Sequence, residues 1–234
     1  MTQRVLIAII SCHARTAYVQ AQRETWILRI PAGVDYKVFL GPSERTPLPD
    51  EVFVQCDDSY GGLPSKVKAV MGWAYDHGYD FVAKVDDDVI LSFPEWLNSG
   101  FQNHDFTGHT NDDRIKFLIP WGFCYILSRK AMAFIKDHSL PANNNDEAWV
   151  SSVLAWNGIF LHHESRYHLH RGKRSDFIVG TKRALRAPPR SIPMDVLTPA
   201  NGIAYAVFLH WHGYHATPDE VNIQEFHKLF KEIQ

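Results

Sequence analysis

The sequence predicts an α/β protein, with a mostly parallel sheet covered by helices on both faces. Short apolar segments alternate with segments of helical periodicity through the first half of the chain. The apolar segments lack an exposed polar side, as expected for strands that are buried on both faces. With 234 residues and 45% hydrophobic content, the chain can form one substantial core. Ligands of such folds bind at the carboxyl ends of the strands.

The first half of the chain is predicted to contain four strands and two helices. Residues 5–10, VLIAII, are the first buried strand, and in the helix that follows Ala17, Ala21 and Trp26 can share much of one face. Gly78 ends the second helix. The predicted elements in order are strand 5–10, helix 16–28, strands 36–41 and 51–56, helix 64–78 and strand 80–85.

The second half is less regular. Ser92, followed by Pro94 and Glu95, predicts a helix start, and Gly158 is placed to end a later helix. Residues 173–200 are rich in Arg, Pro and Ser and predict a long loop that orders on ligand binding. The remaining predicted elements are strand 121–128, helices 129–138 and 146–158, one or two short strands over 159–172, and an amphipathic helix over 218–234.

Composition excludes several classes of protein. The formal charge of −2 excludes a chain that is basic as a whole, so polyanion binding would need a local patch. Three widely spaced cysteines fit neither a disulfide framework nor a four-ligand zinc site, and reduced thiols are expected. The first apolar run is too short for a membrane anchor and lacks the features of a signal peptide, so we expect a cytoplasmic protein.

Three consecutive carboxylates, Asp86, Asp87 and Asp88, interrupt the apolar run FVAKVDDDVILSF. Two ionised groups about 5 Å apart repel by roughly 3 kcal/mol at an effective dielectric near 20. A helix cap would explain one Asp, although Ser92 already supplies a start signal. A solvated turn is the other structural explanation. The functional alternative is a site for magnesium or manganese at the end of a buried strand, where the cation offsets the repulsion and bridges a diphosphate.

Five motifs in order resemble those of the inverting β-1,3-glycosyltransferases, which include the β-1,3-galactosyltransferases and the fringe proteins. They span residues 1–172 and read RETWILR, DDSYGGLPSKVKAVMGWAYD, KVDDDVIL, WGFCYILS and NDEAWVSSVLAWNGI. The resemblance implies a GT-A fold, a nucleotide-sugar donor, usually a UDP-sugar, and a manganese ion held by an Asp-x-Asp motif, with magnesium as the alternative. It also implies one domain, with a nucleotide-sugar half (1–90), an acceptor and catalytic half (91–172), and a basic loop and helix (173–234).

The resemblance assigns roles to individual positions. Asp88 falls where the family has a metal ligand, and Asp86 where it contacts the metal or the nucleotide ribose. Lys66 could instead be a solvated helix residue, and no separate role follows for Asp87. The candidate donor-binding residues are Arg23, Asp58, Lys66, Asp86, Asp87 and Gly122.

The resemblance also implies a catalytic base. Inverting transfer needs a carboxylate near the acceptor hydroxyl, and the family has it in an acidic pair at the start of a helix. Asp146 occupies this place, with Glu147 as the alternative, and Asn145 replaces the first acidic residue of the pair. An Asp at this position could also be a helix cap, although the preceding Asn residues could cap equally well.

A third metal ligand is expected from a later histidine. His168 and His170 lie on one face of a predicted strand, and His210 and His212 do the same, so periodicity does not choose between them. The resemblance favours His170, since fringe-like proteins have their ligating histidine at the matching place. His212 and His168 are the alternatives.

The identity of the acceptor is what the sequence predicts least well. The stretch 166–190 is rich in Lys and Arg, which fits a loop that closes over the donor diphosphate. It also fits contact with a phosphate backbone, in which case the acceptor would be a hydroxymethylated base in viral DNA. A glycan or another hydroxyl compound is the general alternative. The competing classes are a metal-dependent phosphoester hydrolase and a non-catalytic sugar-binding module.

Overall fold

The computed structural model describes residues 3–93, 95–110, 119–120 and 122–164, the backbone of 167–171 and 204–208, and residues 223–224, 227–228 and 230–231. The elements in these residues are β1 (Val5–Ile10), α1 (Thr16–Arg23), β2 (Val34–Leu40), β3 (Glu51–Phe53), α2 (Leu63–Asp76), β4 (Phe81–Asp86), β5 (Val89–Leu91), β6 (Phe106–Gly108), β7 (Cys124–Ser128), α3 (Arg129–Asp137), α4 (Asp146–Trp156), β8 (His162–His163), β9 (Tyr167–Arg171) and β10 (Ala204–Phe208).

The central sheet is mixed and mostly parallel, which confirms the predicted fold class. Its seven strands lie in the order β3-β2-β1-β4-β7-β6-β8. β1 is parallel to β2 and β4, and Ile10 aligns with Phe39 and Asp86, so these three strands end at one edge, here called the carboxyl edge. β7 runs antiparallel to both β4 and β6. A second sheet of three strands has the order β5-β10-β9.

Alternation along the strands divides the core into two layers. Ile7 and Ile9 face the layer that includes α1, whereas Leu6 and Ala8 face the layer that includes α2, α3 and α4. All four side chains are fully buried. Because the side-chain period of a strand is two, the residues of β4 are divided in the same way. Val85 therefore faces the α1 layer, and Val82 and Lys84 face the layer of α4.

Two predicted helices differ from the structure. α1 ends at Arg23, because the Thr25 hydroxyl donates to the Ala21 carbonyl oxygen (2.6 Å) and the backbone then turns into a short 3-10 segment at Trp26–Arg29. After Ser92, 3-10 turns replace the predicted α-helix. Gly100, at φ 81°, adopts a left-handed conformation that stops the helical run.

Several further predictions can be compared with the structure. The three cysteines are free thiols. The ends of α2 and α4 agree with prediction, with Gly78 and Gly158 at positive φ just beyond them. None of the helices in the described ranges combines the length and apolar character needed to cross a membrane. The predicted loop 173–200 and His212 lie outside the described residues, and only parts of the predicted helix 218–234 are described.

Candidate active site

The three aspartates form a turn between β4 and β5 at the carboxyl edge, here called the acidic turn (Asp86–Asp88). The Asp86 amide donates to the Phe123 carbonyl oxygen (3.0 Å), which fixes the start of the turn against the segment before β7. The helix-cap explanation is wrong, since a strand follows the turn directly. Full solvation is wrong too, because the Asp87 and Asp88 side chains are only 5% and 16% exposed.

Asp86 is paired with a buried lysine. Lys84 Nζ donates to Asp86 Oδ1 (2.5 Å) and to the Gly122 carbonyl oxygen, and the lysine is 2% exposed. Burial alone would lower the pKa of Lys84, but the negative charges of Asp86, Asp146 and Glu147 raise it above its usual value. Lys84 is therefore a fixed cation whose charge attracts three carboxylates.

Asp87 is held by groups from the first strand and its loop. Its carboxylate accepts from the Ser11 hydroxyl (2.7 Å), from Arg15 Nε (3.0 Å to each oxygen) and from an Arg15 terminal nitrogen (2.6 Å). Such a buried, bidentate pair fixes the geometry of the acidic turn. These contacts give Asp87 a positioning role and leave its predicted donor contact without support from the geometry.

Asp88 is the least neutralised of the three carboxylates. Its contact with Arg15 is longer, at 3.3 Å, and goes to the same terminal nitrogen that binds Asp87. Burial, together with repulsion from Asp87, raises the pKa of Asp88 to about 7. A carboxylate in this state is stabilised by an additional positive charge.

Asp146 is the first residue of α4 and is 2% exposed. The cap of this helix is Asn145, whose side chain accepts from the Ala148 amide (2.7 Å), so the alternative that Asp146 is the cap is wrong. Asp146 Oδ2 is buried and has no hydrogen-bond partner among the described groups. Burial, together with repulsion from Glu147 and Asp86, raises the pKa of Asp146 to about 7 despite the attraction of Lys84.

Glu147 lies directly against Gly122. A Cβ atom added at Gly122 would lie 1.8 Å from Glu147 Oε1, so a larger residue here would displace this carboxylate from its present position. Gly122 also accepts from Lys84, which places it at the centre of the charged cluster. The predicted donor-site glycine thus has a steric role that the sequence motif did not reveal.

Replacing Gly122 with Ala is expected to displace the Glu147 carboxylate and lower the free energy of unfolding by about 1 kcal/mol, the low end for overpacking, because the end of this flexible side chain can move. Gly72→Ala is the matched control, since its Cβ would meet only Lys136 Cβ at 3.8 Å inside α2. This control is expected to keep or slightly raise stability, because Ala favours a helix. Thermal unfolding of both variants checks the result, and equal melting temperatures would contradict the packing argument.

Asp58 and Lys66 join the ends of β1 and β2. Lys66 is 2% exposed and donates to Asp58 Oδ1 (2.5 Å) and to the Ser11 carbonyl oxygen (2.6 Å). Asp58 also accepts from the amides of His13 (3.0 Å) and Gly41 (2.7 Å). Burial opposes its ionisation, yet these hydrogen bonds outweigh that effect and lower the pKa of Asp58. The alternative that Lys66 is a solvated helix residue is wrong.

Arg23 lies away from these contacts in the described structure. Its guanidinium donates to both oxygens of Asp50 (2.8 and 3.0 Å) and to Glu51 (3.3 Å) beside edge strand β3. With Arg45 and Leu48 it lines an open pocket of about 430 Å³. The described contacts of Arg23 do not include the acidic turn, so its donor-binding role stays a prediction.

Lys84 and Arg15 were not predicted as site residues. Lys84 is a cation two residues before Asp86 in an otherwise apolar strand, so both side chains share a face, and this alternation was a readable signal. Arg15 had no such signal, because its contact with Asp87 joins positions 72 residues apart. The positive charges that offset repulsion in the acidic turn therefore include two protein side chains.

The backbone register constrains the histidine candidates. Val89 of β5 pairs with Ala206 of β10, and the next β10 residue, Val207, pairs with His170 of β9. Continuing this register by one residue places Asp88 and His170 at the same level, two strand spacings or roughly 10 Å apart. The side chains of His168 and His170 lie outside the described residues. Among the side chains that are described, no three His, Cys, Asp or Glu residues form a metal-binding group.

The fold and the carboxyl-edge cluster define an α/β protein of the GT-A class. The chain matches no protein-family model, and no curated protein is similar to it in sequence. Its fold is similar to the folds of glycosyltransferases in crystal structures.

The apo form of the glycosyltransferase GlyE from Streptococcus pneumoniae TIGR4 has a TM-score of 0.55 and 8% identity, over 99% of this chain and 63% of GlyE. A second GlyE structure has a TM-score of 0.54 and 8% identity, with the same coverage. The galactosyltransferase LgtC, in complex with donor and acceptor sugar analogs, has a TM-score of 0.50 and 11% identity, over 97% of this chain and 95% of LgtC. The chain thus spans less than two thirds of GlyE and has the fold of these enzymes.

Proposed function

We propose that the protein is a metal-dependent inverting glycosyltransferase that transfers a sugar from a UDP-sugar to an acceptor hydroxyl. The observation that carries this proposal is that Asp146 and Asp86 of the acidic turn both interact with Lys84, and that Asp146 is a buried carboxylate with one oxygen that has no partner among the described groups. A base and a candidate metal ligand are thereby held at one edge of a GT-A sheet. The five motifs support assignment to the β-1,3-galactosyltransferase and fringe group.

The residues of the acidic turn fit a divalent cation. Among the described side chains, the hydrogen-bond partner of Asp88 is Arg15 at a long 3.3 Å, and burial with repulsion from Asp87 raises the pKa of Asp88 to about 7. Carboxylate oxygens suit manganese or magnesium, and a histidine ligand favours manganese. We assign Asp88 and Asp86 as ligands and His170 as the third, with support from the shared level of Asp88 and His170. When bound, the cation would neutralise the departing diphosphate.

Asp146 is the proposed general base. A base must approach the hydroxyl it deprotonates and have a pKa near the working pH. Asp146 has one oxygen without a partner among the described groups and a pKa of about 7. The positive charge of Lys84 interacts with Asp146, and this attraction lowers the free-energy cost of ionising the buried Asp146 carboxyl group. Inverting transfer needs such a base at the acceptor hydroxyl, and we take inversion itself from the resemblance of the five motifs.

The donor site is proposed to lie over the ends of β1, β2 and β4. Asp58 and Lys66 shape this site by holding Ser11, His13 and Gly41 together. Asp86 can contact the ribose on the side away from Lys84, since its side chain is 33% exposed. Gly122 is retained as a donor-site residue because its carbonyl oxygen holds Lys84 beside Asp86, and Arg23 is retained as an outlying contact.

A sugar hydroxyl is the acceptor we propose, and LgtC, which binds an acceptor sugar analog, has this fold. The DNA alternative depends on the basic stretch 166–190, most of which lies outside the described residues. A phosphoester hydrolase needs further acidic ligands near the acidic turn, and in the described part of the chain no three metal-binding side chains group together.

Calorimetry with UDP and manganese tests the proposal. The wild-type protein is expected to bind UDP with manganese and much more weakly with a chelator. Asp88→Asn is expected to weaken the metal-dependent binding by at least about tenfold, since a ligand charge is lost. Asp105→Asn is the matched control, because Asp105 pairs with Lys130 and Ser128 away from the acidic turn. Metal-independent UDP binding would contradict this assignment.

Transfer is then measured with a panel of UDP-sugars against saccharides and hydroxymethylated DNA. NMR of the product identifies the anomer, and a retained configuration would overturn the inverting mechanism. UDP release stimulated by DNA, and lost as salt rises, would favour the DNA acceptor over a sugar.

A further inference from the structure

Arg15 occupies a distinctive position at the start of α1. It is the residue before Thr16, and its side chain is 25% exposed beside the almost buried Asp87. One terminal nitrogen of the guanidinium bridges Asp87 Oδ1 (2.6 Å) and Asp88 Oδ2 (3.3 Å). The guanidinium carbon also lies 4.5 Å from the centre of the Tyr18 ring. Arg15 is thus held in place while part of its cation faces the carboxyl edge.

The two carboxylate contacts of Arg15 are unequal. Asp87 accepts from Nε and from the terminal nitrogen at 2.6–3.0 Å, whereas Asp88 accepts only at 3.3 Å. The bond to Asp87 is shorter and bidentate, so it is the stronger. Asp88 is also the residue we assign as a metal ligand. The weaker contact can therefore be lost while Asp87 still holds the guanidinium.

We propose that Arg15 exchanges Asp88 for the diphosphate of the donor when the cation binds. In the free protein, Arg15 and a divalent cation compete for the Asp88 carboxylate. In the complex, Asp87 still orients the guanidinium, and the released N–H donates to a phosphate oxygen. This inference rests on the proposed function and adds a donor-binding residue to it.

Charge and geometry support this role. A guanidinium binds phosphate oxygens bidentately and stays charged when partly buried. α1 begins next to Arg15 without a side-chain cap, so the positive end of its dipole lies at the residue that carries the guanidinium. Lys84 is less suited to the role, because it is 2% exposed and is already bound to Asp86 and the Gly122 carbonyl oxygen.

The proposal predicts opposite effects on two binding reactions of Arg15→Met. Manganese alone is expected to bind a few-fold more tightly, because a competing cation has gone. UDP, measured at saturating manganese, is expected to bind about 10- to 100-fold more weakly, because a charge-assisted hydrogen bond has gone. Titration of manganese followed by electron paramagnetic resonance gives the first constant, and calorimetry with UDP gives the second. Arg15→Lys, which keeps the charge, is expected to restore manganese affinity fully and UDP affinity in part.

Two further variants separate these effects from a loss of structure. Arg4→Met removes the same charge at the opposite edge of the sheet, where Arg4 pairs with the exposed Asp35, and is expected to change neither constant. If Arg15→Met unfolds, the double variant Arg15→Met with Asp87→Asn removes both buried charges together. It is expected to keep manganese affinity and lose UDP affinity, whereas Asp87→Asn alone loses less UDP affinity, because the guanidinium is still present but is no longer oriented by Asp87.

The outcomes distinguish this inference from the proposed function. If the wild-type protein binds no UDP with manganese, the proposed function itself fails. If it does bind, but Arg15→Met weakens manganese and UDP to the same extent, Arg15 only supports the structure of the turn and the inference is overturned. Unchanged UDP affinity in the double variant would overturn it as well.

Discussion

Replacing Asp146 with Asn is expected to lower kcat by about 10²- to 10⁴-fold, which is the usual contribution of a general base. Asn145 still caps α4 in this variant, so the helix should begin at the same residue. Binding of UDP with manganese should change little, because Asp86 and Asp88 are untouched. The transfer rate and the UDP affinity are measured on the same preparation.

The same variant should be more stable than the wild type at high pH. Burial raises the pKa of Asp146 from 3.8 to about 7, so the folded state holds this proton over a range where the unfolded state has released it. Wild-type stability therefore falls as pH rises from about 4 to about 7, by on the order of a few kcal/mol for this group. Asn does not ionise, so the variant does not lose this stability as pH rises. Its advantage in melting temperature should be small near pH 4 and largest above pH 7.

Activity has the opposite pH dependence. The base must be ionised to act, so kcat of the wild type should rise through about pH 7 and then level off. Glu147→Gln is the comparison variant, since Glu147 lies next in sequence and against Gly122. If Glu147→Gln abolishes transfer and Asp146→Asn does not, the roles of the two carboxylates are reversed.

Replacing Lys84 with Met is expected to cost about 3–5 kcal/mol of unfolding free energy at neutral pH. This lysine is buried, and Asp86, Asp146 and Glu147 all interact with its charge. Met fills a similar volume but leaves three carboxylates without that cation. The loss should shrink as pH falls towards 5, because burial raises the pKa values of Asp86 and Asp146 and these two carboxylates then take up protons. Denaturant unfolding at two pH values measures both effects.

Lys130→Met is the matched control for this substitution. Lys130 pairs with Asp105 at 2.9 Å, but its side chain is 63% exposed, and surface pairs contribute about 1 kcal/mol or less. A Lys84→Met protein as stable as this control would show that Lys84 does not offset the repulsion among the carboxylates.

The fold was predictable because its signals are local. Strand β1 and helices α2 and α4 have clear periodicity and end signals, and their observed bounds agree with prediction. The errors lie where tertiary packing overrides a local pattern. Residues 16–28 have helical spacing throughout, yet the Thr25 side chain closes the helix early and Trp26 is buried in a separate turn.

The site was predictable only in part. Acidic side chains that interrupt an apolar run or lie in a motif are visible in a sequence, so Asp86, Asp88 and Asp146 could be predicted as site residues. The cationic side chains that pair with these carboxylates could not all be identified from the sequence. Arg15 reaches the acidic turn through the pairing of β1 with β4, and a single sequence does not reveal which cation such a pairing brings close. From the sequence, the three aspartates predict a metal ion as the source of positive charge. The structure adds Arg15 and Lys84 as two protein cations at the same turn.

The pairing of β5 with β10 has a consequence for biosynthesis. The strand that follows the acidic turn hydrogen-bonds to a strand from near the far end of the chain. A growing polypeptide on the ribosome can form the seven-stranded sheet before residues 204–208 emerge. The acidic turn would gain this second support only after β10 has been synthesised, so its geometry depends on a strand that is made well after the turn itself.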